Sequence, residues 1–410
     1  MNTSIGLRAE SPAPSLYLQF IVLFASMFSL LAGGAIAPAL PGMKAHFIGV
    51  TNVDLLVKLQ LSATSLFIAA GAPIAGILSD RLGRRPLLVV SILMTAVAGT
   101  AGYWTDSLHT MLATRALLGL GVSGALTVAT ALVGDHFAGE SRTRFVAMQA
   151  AAMKVGGILF TLIGGVLASL SWRDVFLVDL LALCVLPGAL TRVSAHPFAC
   201  EPSHREDTDA RVHHYGTWIT VFSVAFAGQI FFYMLPTQIP FLVRSLGDTS
   251  PALISYLISG SILASAISAS QYHRVKRWFN HYMLVALAFL ILGAGYLWVP
   301  LADTYRTTFV AMVVAGVGLG IFVPSTTGWL LGISPESLRG RAIGLLMTFT
   351  FLGQFFSPLV FAPILVHTGI RSLFGVAGVA ALALAAVFIV LSFLTRRSTG
   401  RLKGMVNSGF

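Results

Sequence analysis

The stretch GILSDRLGRRPLLV, Gly76 to Val89, places Asp80, Arg81, Arg84 and Arg85 within six residues, between two long apolar runs. The flanking runs, about 56–79 and 87–104, have the length and continuity of membrane helices. The charged residues therefore form a tight basic loop joining two spans. Lys and Arg beside spans are retained on the cytoplasmic side, which predicts that this loop faces the cytoplasm.

Working outward, composition agrees with a membrane setting. The chain has 410 residues, of which 56% are hydrophobic and only 10% charged, with a mean hydropathy of +0.85. A soluble protein carries about 25% charged residues, so a soluble enzyme is excluded. The formal charge of +11 invites a polyanion partner, but its distribution argues otherwise. Most Lys and Arg fall in segments expected to be cytoplasmic. Lys44, Lys58, Arg173, Arg244, Arg306 and Arg371 fall on the other side, and Arg115 and Lys154 inside spans. That is a positive-inside pattern rather than a nucleic-acid-binding face. Cys184 and Cys200 fall in a span and a cytoplasmic loop, so neither a disulfide nor a metal site is expected.

Twelve apolar segments can be drawn, about 16–40, 56–79, 87–104, 108–133, 145–169, 174–193, 217–243, 251–272, 281–301, 306–332, 341–367 and 372–395. The first follows a single Arg8 and is far longer than a signal h-region, so it reads as an uncleaved span. An even number places both termini on one side, and Arg396, Arg397, Arg401 and Lys403 make that side cytoplasmic. The only long polar stretch, 194–216, has mixed charge, His204, His213 and His214, and no hydrophobic period. It reads as a linker between two six-helix bundles, 1–193 and 217–410. Metal binding by its histidines is the sharper alternative, although nothing fixes their geometry. The basic loops QYHRVKRWF (271–279), GESRTRFVAM (139–148) and PESLRGRAIGLL (335–346) repeat the opening pattern weakly, as transporter repeats do.

The pattern G-x-L-x-D-R-x-G-R-R resembles the loop between spans two and three of the major facilitator superfamily of secondary transporters. The likeness extends over about 16–395 and is nearest the twelve-span drug:proton antiporter branch. It implies an all-α membrane protein of two pseudo-symmetric bundles that rock about a midplane site. It also implies a monomer in a bacterial inner membrane, a small-molecule substrate and a proton gradient, with no cofactor and no nucleic acid. In such transporters the loop latches the halves. Gly76 and Gly83 would allow close approach and a sharp turn, Asp80 would meet helix amino termini, and Arg84 would pair with Asp135. The span-four stretch TRALLGLGVSG (114–124) resembles the family's R-x-x-x-G-x-G element, where the arginine is tied to proton coupling. Here it is Arg115, with bonding to facing backbone carbonyls as the structural alternative. In span five, FTLIGG (160–165) keeps Gly164 and Gly165 of the antiporter Gly-Pro element but has Phe160 and Thr161 instead of Gly-Pro.

Charges inside a bilayer are costly and mark pathways or partners. Lys154, about ten residues into span five, reads as a central-cavity cation or as half of a structural ion pair. No acid stands in FSLLAGGAIAPALP (28–41), and the deep charges are positive, so an anionic, oxygen-rich substrate is expected. Arg115 and Lys154 would hold its negative groups, and Asp179, or alternatively Asp54, would compete for them and carry the proton. Gln229, Phe232, Tyr233 and Gln238 in span seven and Gln354 in span eleven would line the cavity. The glycines at 316, 318 and 320 read as close helix packing. There is no Walker sequence and no arguable catalytic constellation, so no enzyme is expected. Export of a carboxylate or metal-free siderophore is the leading expectation. Multidrug efflux and proton-symport uptake of an organic acid are the alternatives, and a non-transporting membrane scaffold is a further class.

Overall fold

The computed structural model describes residues 15–137, 139–193, 211–335 and 338–407. Among them all regular structure is helical: α1 (Leu16–Gly34), α2 (Leu40–His46), α3 (Val53–Leu82), α4 (Arg84–Thr100), α5 (Leu108–His136), α6 (Gly139–Leu170), α7 (Leu186–Arg192), α8 (Arg211–Ser245), α9 (Pro251–Lys276), α10 (His281–Trp298), α11 (Tyr305–Ile333), α12 (Arg339–Thr368) and α13 (Ile370–Asn407). Helices suit such apolar runs because each closes its own backbone hydrogen bonds where lipid offers none. Among the described residues, eleven helical segments are long and apolar enough to cross a membrane, and Leu16–Leu31 is a shorter twelfth.

Two traverses are less regular than their hydropathy suggests. The first breaks after Gly34 and continues as a tight turn at Ala37–Ala39 and then α2, with Pro38 and Pro41 at the two new starts. The sixth runs as a 3-10 helix over Asp174–Val185 before α7, where Pro187 stands in the first turn. Proline supplies no backbone N–H and is favoured at a helix start, and each run restarts at one where hydropathy alone sees continuity. The seventh traverse starts earlier than 217, at Arg211. Residues 194–210 of the expected linker, with His204 and Cys200, lie outside the described residues; Cys184 is an exposed free thiol.

Helices α1–α7 pack into one bundle and α8–α13 into another, and the bundles meet along two seams, α3 against α12 and α6 against α9. Lipid tails are as apolar as leucine, so close packing rather than water exclusion brings such helices together. Gly316 and Gly320 of α11 lie against the carbonyls of Ser261 and Ser265 on α9, and Gly318 faces Ala288 of α10. The glycine spacing is a packing pattern. Alternate chain reversals fall at opposite ends of the molecule. One end carries Gly83, whose φ of 90° a side chain would strain; the other carries Lys44 and Gly369.

Candidate functional site

Two deep charges lie together inside the first bundle. Arg115 of α5 is 1% exposed and Asp179 of the 174–185 stretch 4%. The Arg115 Nη1 stands 3.7 Å from Asp179 Oδ2, Nη2 donates to the Gly99 carbonyl at 2.7 Å, and the guanidinium lies 4.8 Å over the Phe176 ring. At 3.7 Å the pair is an ion contact rather than a hydrogen bond. Asp179 Oδ1 and Arg115 Nε have no partner among the described residues. Only glycine at 99 permits this, because a Cβ there would overlap the Asp179 side chain. Arg115 was expected to touch substrate; instead α4, α5 and the 174–185 stretch close around it. Bonding to a facing carbonyl is the arrangement found, with Asp179 added.

Lys154 lies elsewhere, on the seam between the bundles. Its Nζ donates to Ser265 Oγ of α9 at 2.9 Å, and no carboxylate among the described residues lies within ion-pair distance of it. Toward the Lys44 end of this seam, Gly164 packs on the backbone of Ala35 at the break in the first traverse, and Gly165 packs on Ser255 of α9. Close approach is thus what FTLIGG retains. At the other seam, Ser65 of α3 donates to Gln354 Oε1 of α12 at 2.8 Å, and the Tyr233 hydroxyl of α8 donates to the Leu61 carbonyl at 3.3 Å. The remaining candidates of α8 point into packing. Phe232 is 2% exposed, with its ring 5.1 Å from that of Phe322. Gln229 is buried against Gly353, and Gln238 is fully buried, with neither amide atom partnered among the described residues. Prolines 236 and 240 leave the α8 helix unbroken, so its periodicity turns Phe232 onto α11 and Gln229 onto α12. Asp54 joins neither Lys154 nor Arg115: it is half exposed at the Lys44 end and paired with Lys44 at 2.5 Å.

The opening motif builds a compact ion cluster at the Gly83 end. Arg84, in the first turn of α4, bonds Asp135 Oδ2 of α5 through Nε at 3.1 Å. Its Nη1 bonds Asp80 Oδ1 at 2.8 Å and Ser79 Oγ at 2.6 Å. The Arg84 and Asp135 side chains are 9% and 16% exposed, whereas Asp80 is 71% exposed and meets Arg84 rather than a helix amino terminus. Gly76 is not needed for close approach, since a Cβ there meets nothing within 4 Å. Arg84→Ala is expected to cost about 1–3 kcal/mol, because a charge-assisted bond is lost and Asp135 keeps its burial. Thermal unfolding in detergent of Arg84→Ala, Asp135→Ala and the double variant checks it: coupling requires the double to cost less than the sum of the singles.

A group of residues at the Lys44 end was misjudged from sequence as topology charges. Lys58 is 2% exposed inside α3, and its Nζ lies 4.9 Å from the ring centroid of Phe241 on α8. Arg244 Nη1 donates to the Pro41 carbonyl at 3.0 Å, tying α8 to α2. The available signal was the Asp54–Lys58 spacing of one helical turn, which extends α3 outward past the apolar run.

The family model of the Major Facilitator Superfamily matches residues 22–241 and 217–407. The quinolone resistance protein NorA of Staphylococcus aureus is 24% identical over 352 residues, covering 83% of this chain and 88% of that protein. The gentisate transporter of Corynebacterium glutamicum is 25% identical over 410 residues, covering 95% of this chain and 89% of that protein. The crystal structure of a D-xylose-proton symporter superposes with a TM-score of 0.75 at 16% identity, over 90% of this chain and 96% of that one; it shares the fold. With its helical traverses, paired bundles and ion-clustered basic turn, the chain belongs to the Major Facilitator Superfamily and is a multi-pass membrane transporter rather than an enzyme.

Proposed function

We propose that this transporter exports a small organic anion, a carboxylate or polycarboxylate such as a metal-free siderophore, across a bacterial inner membrane in exchange for protons, with Lys154 as the substrate's counter-charge. The observation that carries this is the setting of Lys154: a cation on the seam between the bundles, with a serine hydroxyl for partner and no carboxylate among the described residues within ion-pair distance. A charge at bilayer depth is costly unless balanced, and a negatively charged substrate supplies the balance. Tyr233 and Gln354, each bonded across the seam between α3 and the second bundle, are the polar groups we assign to the same pathway. The gentisate transporter's name supports a carboxylate substrate, and the likeness to NorA supports export.

Asp179, held against Arg115 with one free carboxylate oxygen, is the group we assign to proton carriage. Protonation there would release Arg115 from its partner and loosen the packing of α4 on the 174–185 stretch. The Gly83 end is the cytoplasmic one in this proposal, since Arg81, Arg85, Arg142, Arg144, Arg274 and Lys276 gather there. The Asp80–Arg84–Asp135 cluster joins α3, α4 and α5 within the first bundle and, among the described residues, does not bridge the halves, so we assign it to fixing the cytoplasmic turn at Gly83 rather than to latching the halves.

Inside-out vesicles holding a respiratory pH gradient test the proposal, with dye dequenching followed after addition of gentisate, citrate, a metal-free carboxylate siderophore or tetraphenylphosphonium. Vesicles without the protein control for permeation of weak acids. Dequenching by an anion is expected, reduced by about 10–100-fold in Lys154→Ala, the equivalent of about 1.5–3 kcal/mol for a bond to a charged group, and partly kept in Lys154→Arg. Dequenching by tetraphenylphosphonium alone, unchanged in Lys154→Ala, would overturn it in favour of efflux of lipophilic compounds.

A further inference from the structure

Between the bundles at the Lys44 end lies a cleft of about 930 Å³, whose lining includes neither Lys154 nor Ser265. Its charged lining is lopsided, with Lys44, Lys58 and Arg244 facing a single carboxylate, Asp54. Asp54 is engaged by Lys44. Lys58, although only 2% exposed, has neither a hydrogen bond nor an ion pair within 4 Å among the described residues; the face of Phe241 lies 4.9 Å away, and Asp54, one helical turn back, is near enough to act on it electrostatically but is bonded to Lys44. An exposed lysine here would be an ordinary surface charge. A buried one lining an open cleft, whose nearest carboxylate is already bonded to another lysine, is a cation without a direct partner among the described residues, available to whatever enters.

We propose that this cleft is a second, separate binding site for an organic carboxylate. The carboxylate is held between Lys58 of the first bundle and Arg244 of the second, and its apolar body lies against Phe241. Arg244 uses one nitrogen on the Pro41 carbonyl, and its planar fork offers further donors in the geometry a carboxylate accepts. Phe241 covers the apolar part of an aromatic or aliphatic acid, while Lys44 neutralises Asp54 and removes its repulsion. The site shares with the proposed function the premise that the substrate is an organic anion, but it does not depend on Lys154. Because its donors come from both bundles, an anion seated there favours the arrangement in which that end is closed.

Ser245 is exposed on the rim of the cleft and serves as a local reporter. In the full chain, purified in detergent with Cys184→Ser and Cys200→Ser, Ser245→Cys is labelled with a fluorescent maleimide. The rate is measured with millimolar benzoate, or with benzamide as its uncharged counterpart. Benzoate is expected to slow labelling several-fold and benzamide to leave it unchanged. Lys58→Met should abolish the protection, Arg244→Gln weaken it and Lys58→Arg retain it; Arg244→Gln is exposed and keeps the test independent of the yield of the Lys58 variants. Lys154→Ala should leave protection intact, so failure of the seam reading and failure of this one are distinguishable. Protection that survives Lys58→Met, that benzamide shares, or that Lys154→Ala removes would overturn the inference, as would no protection by benzoate. A ligand-holding Lys58 also predicts that Lys58→Met has an equal or higher melting temperature, because the variant sheds a buried unpaired charge; a lower one would assign Lys58 to structure instead.

Discussion

Arg115→Ala is expected to be among the most destabilising single substitutions in the chain, at about 3–5 kcal/mol, the cost of removing one member of a buried ion pair. The magnitude follows from what remains. Asp179 is 4% exposed and Gly99 cannot move away from it, because the α4 backbone lies directly against its side chain. Without Arg115 the carboxylate has no counter-charge, the Gly99 carbonyl loses its donor, and the space over Phe176 is left empty. The combination Arg115→Met with Asp179→Asn should recover most of the loss, since it removes both charges and keeps the volume. Thermal unfolding of the purified variants, read as a double-substitution cycle, checks this. Additive losses would mean that the two charges are not coupled.

Gly165→Leu is expected to produce the largest loss of transport with the protein still folded. A Cβ at Gly165 already overlaps the Ser255 hydroxyl and comes within 3.2 Å of the Pro251 carbonyl at the start of α9. A leucine adds three more carbons on the seam between bundles, where overpacking costs about 1–3 kcal/mol. The cost falls on the arrangement in which this end is closed, so the equilibrium shifts by about 5–150-fold toward the arrangement in which it is open. A carrier that works by rocking one bundle against the other then stalls. Transport should fall by a similar factor, Gly165→Ala should show a smaller effect, and maleimide labelling of Ser245→Cys should accelerate. Normal transport in a well-folded Gly165→Leu protein would show that closure at this seam is not part of the cycle.

These two predictions draw on different sources. The Gly165 position was visible in the sequence as a retained glycine of a Gly-Pro element, and its role in close packing came only with α9 seen opposite it. Arg115 and Asp179 were also visible, as charges in apolar runs, but they were assigned to a substrate and to one another's competition. The structure seals them within one bundle, 64 positions apart in sequence, and sets Lys154 on the seam, bonded to Ser265 of α9. Gln238 and Phe232 were read as cavity-lining from their place in a proline-bearing helix. Both are buried in packing, because Pro236 and Pro240 do not break the helix and its rotation decides which way each side chain points.

By itself the sequence determined the traverses, the bundle count and the basic turn at Gly83. These depend on local quantities: lipid obliges an apolar run to satisfy its own backbone, and charge beside a run fixes where it stops. The partners of Arg115 and Lys154 and the burial of Lys58 were decided by the tertiary structure alone. Each depends on a helix far away in the chain: α9 opposite Lys154, α4 beneath Asp179, and Phe241 of α8 over Lys58. A charge acquires its role from what lies within a few ångströms of it, and in a bundle of antiparallel helices those neighbours are rarely its neighbours in sequence.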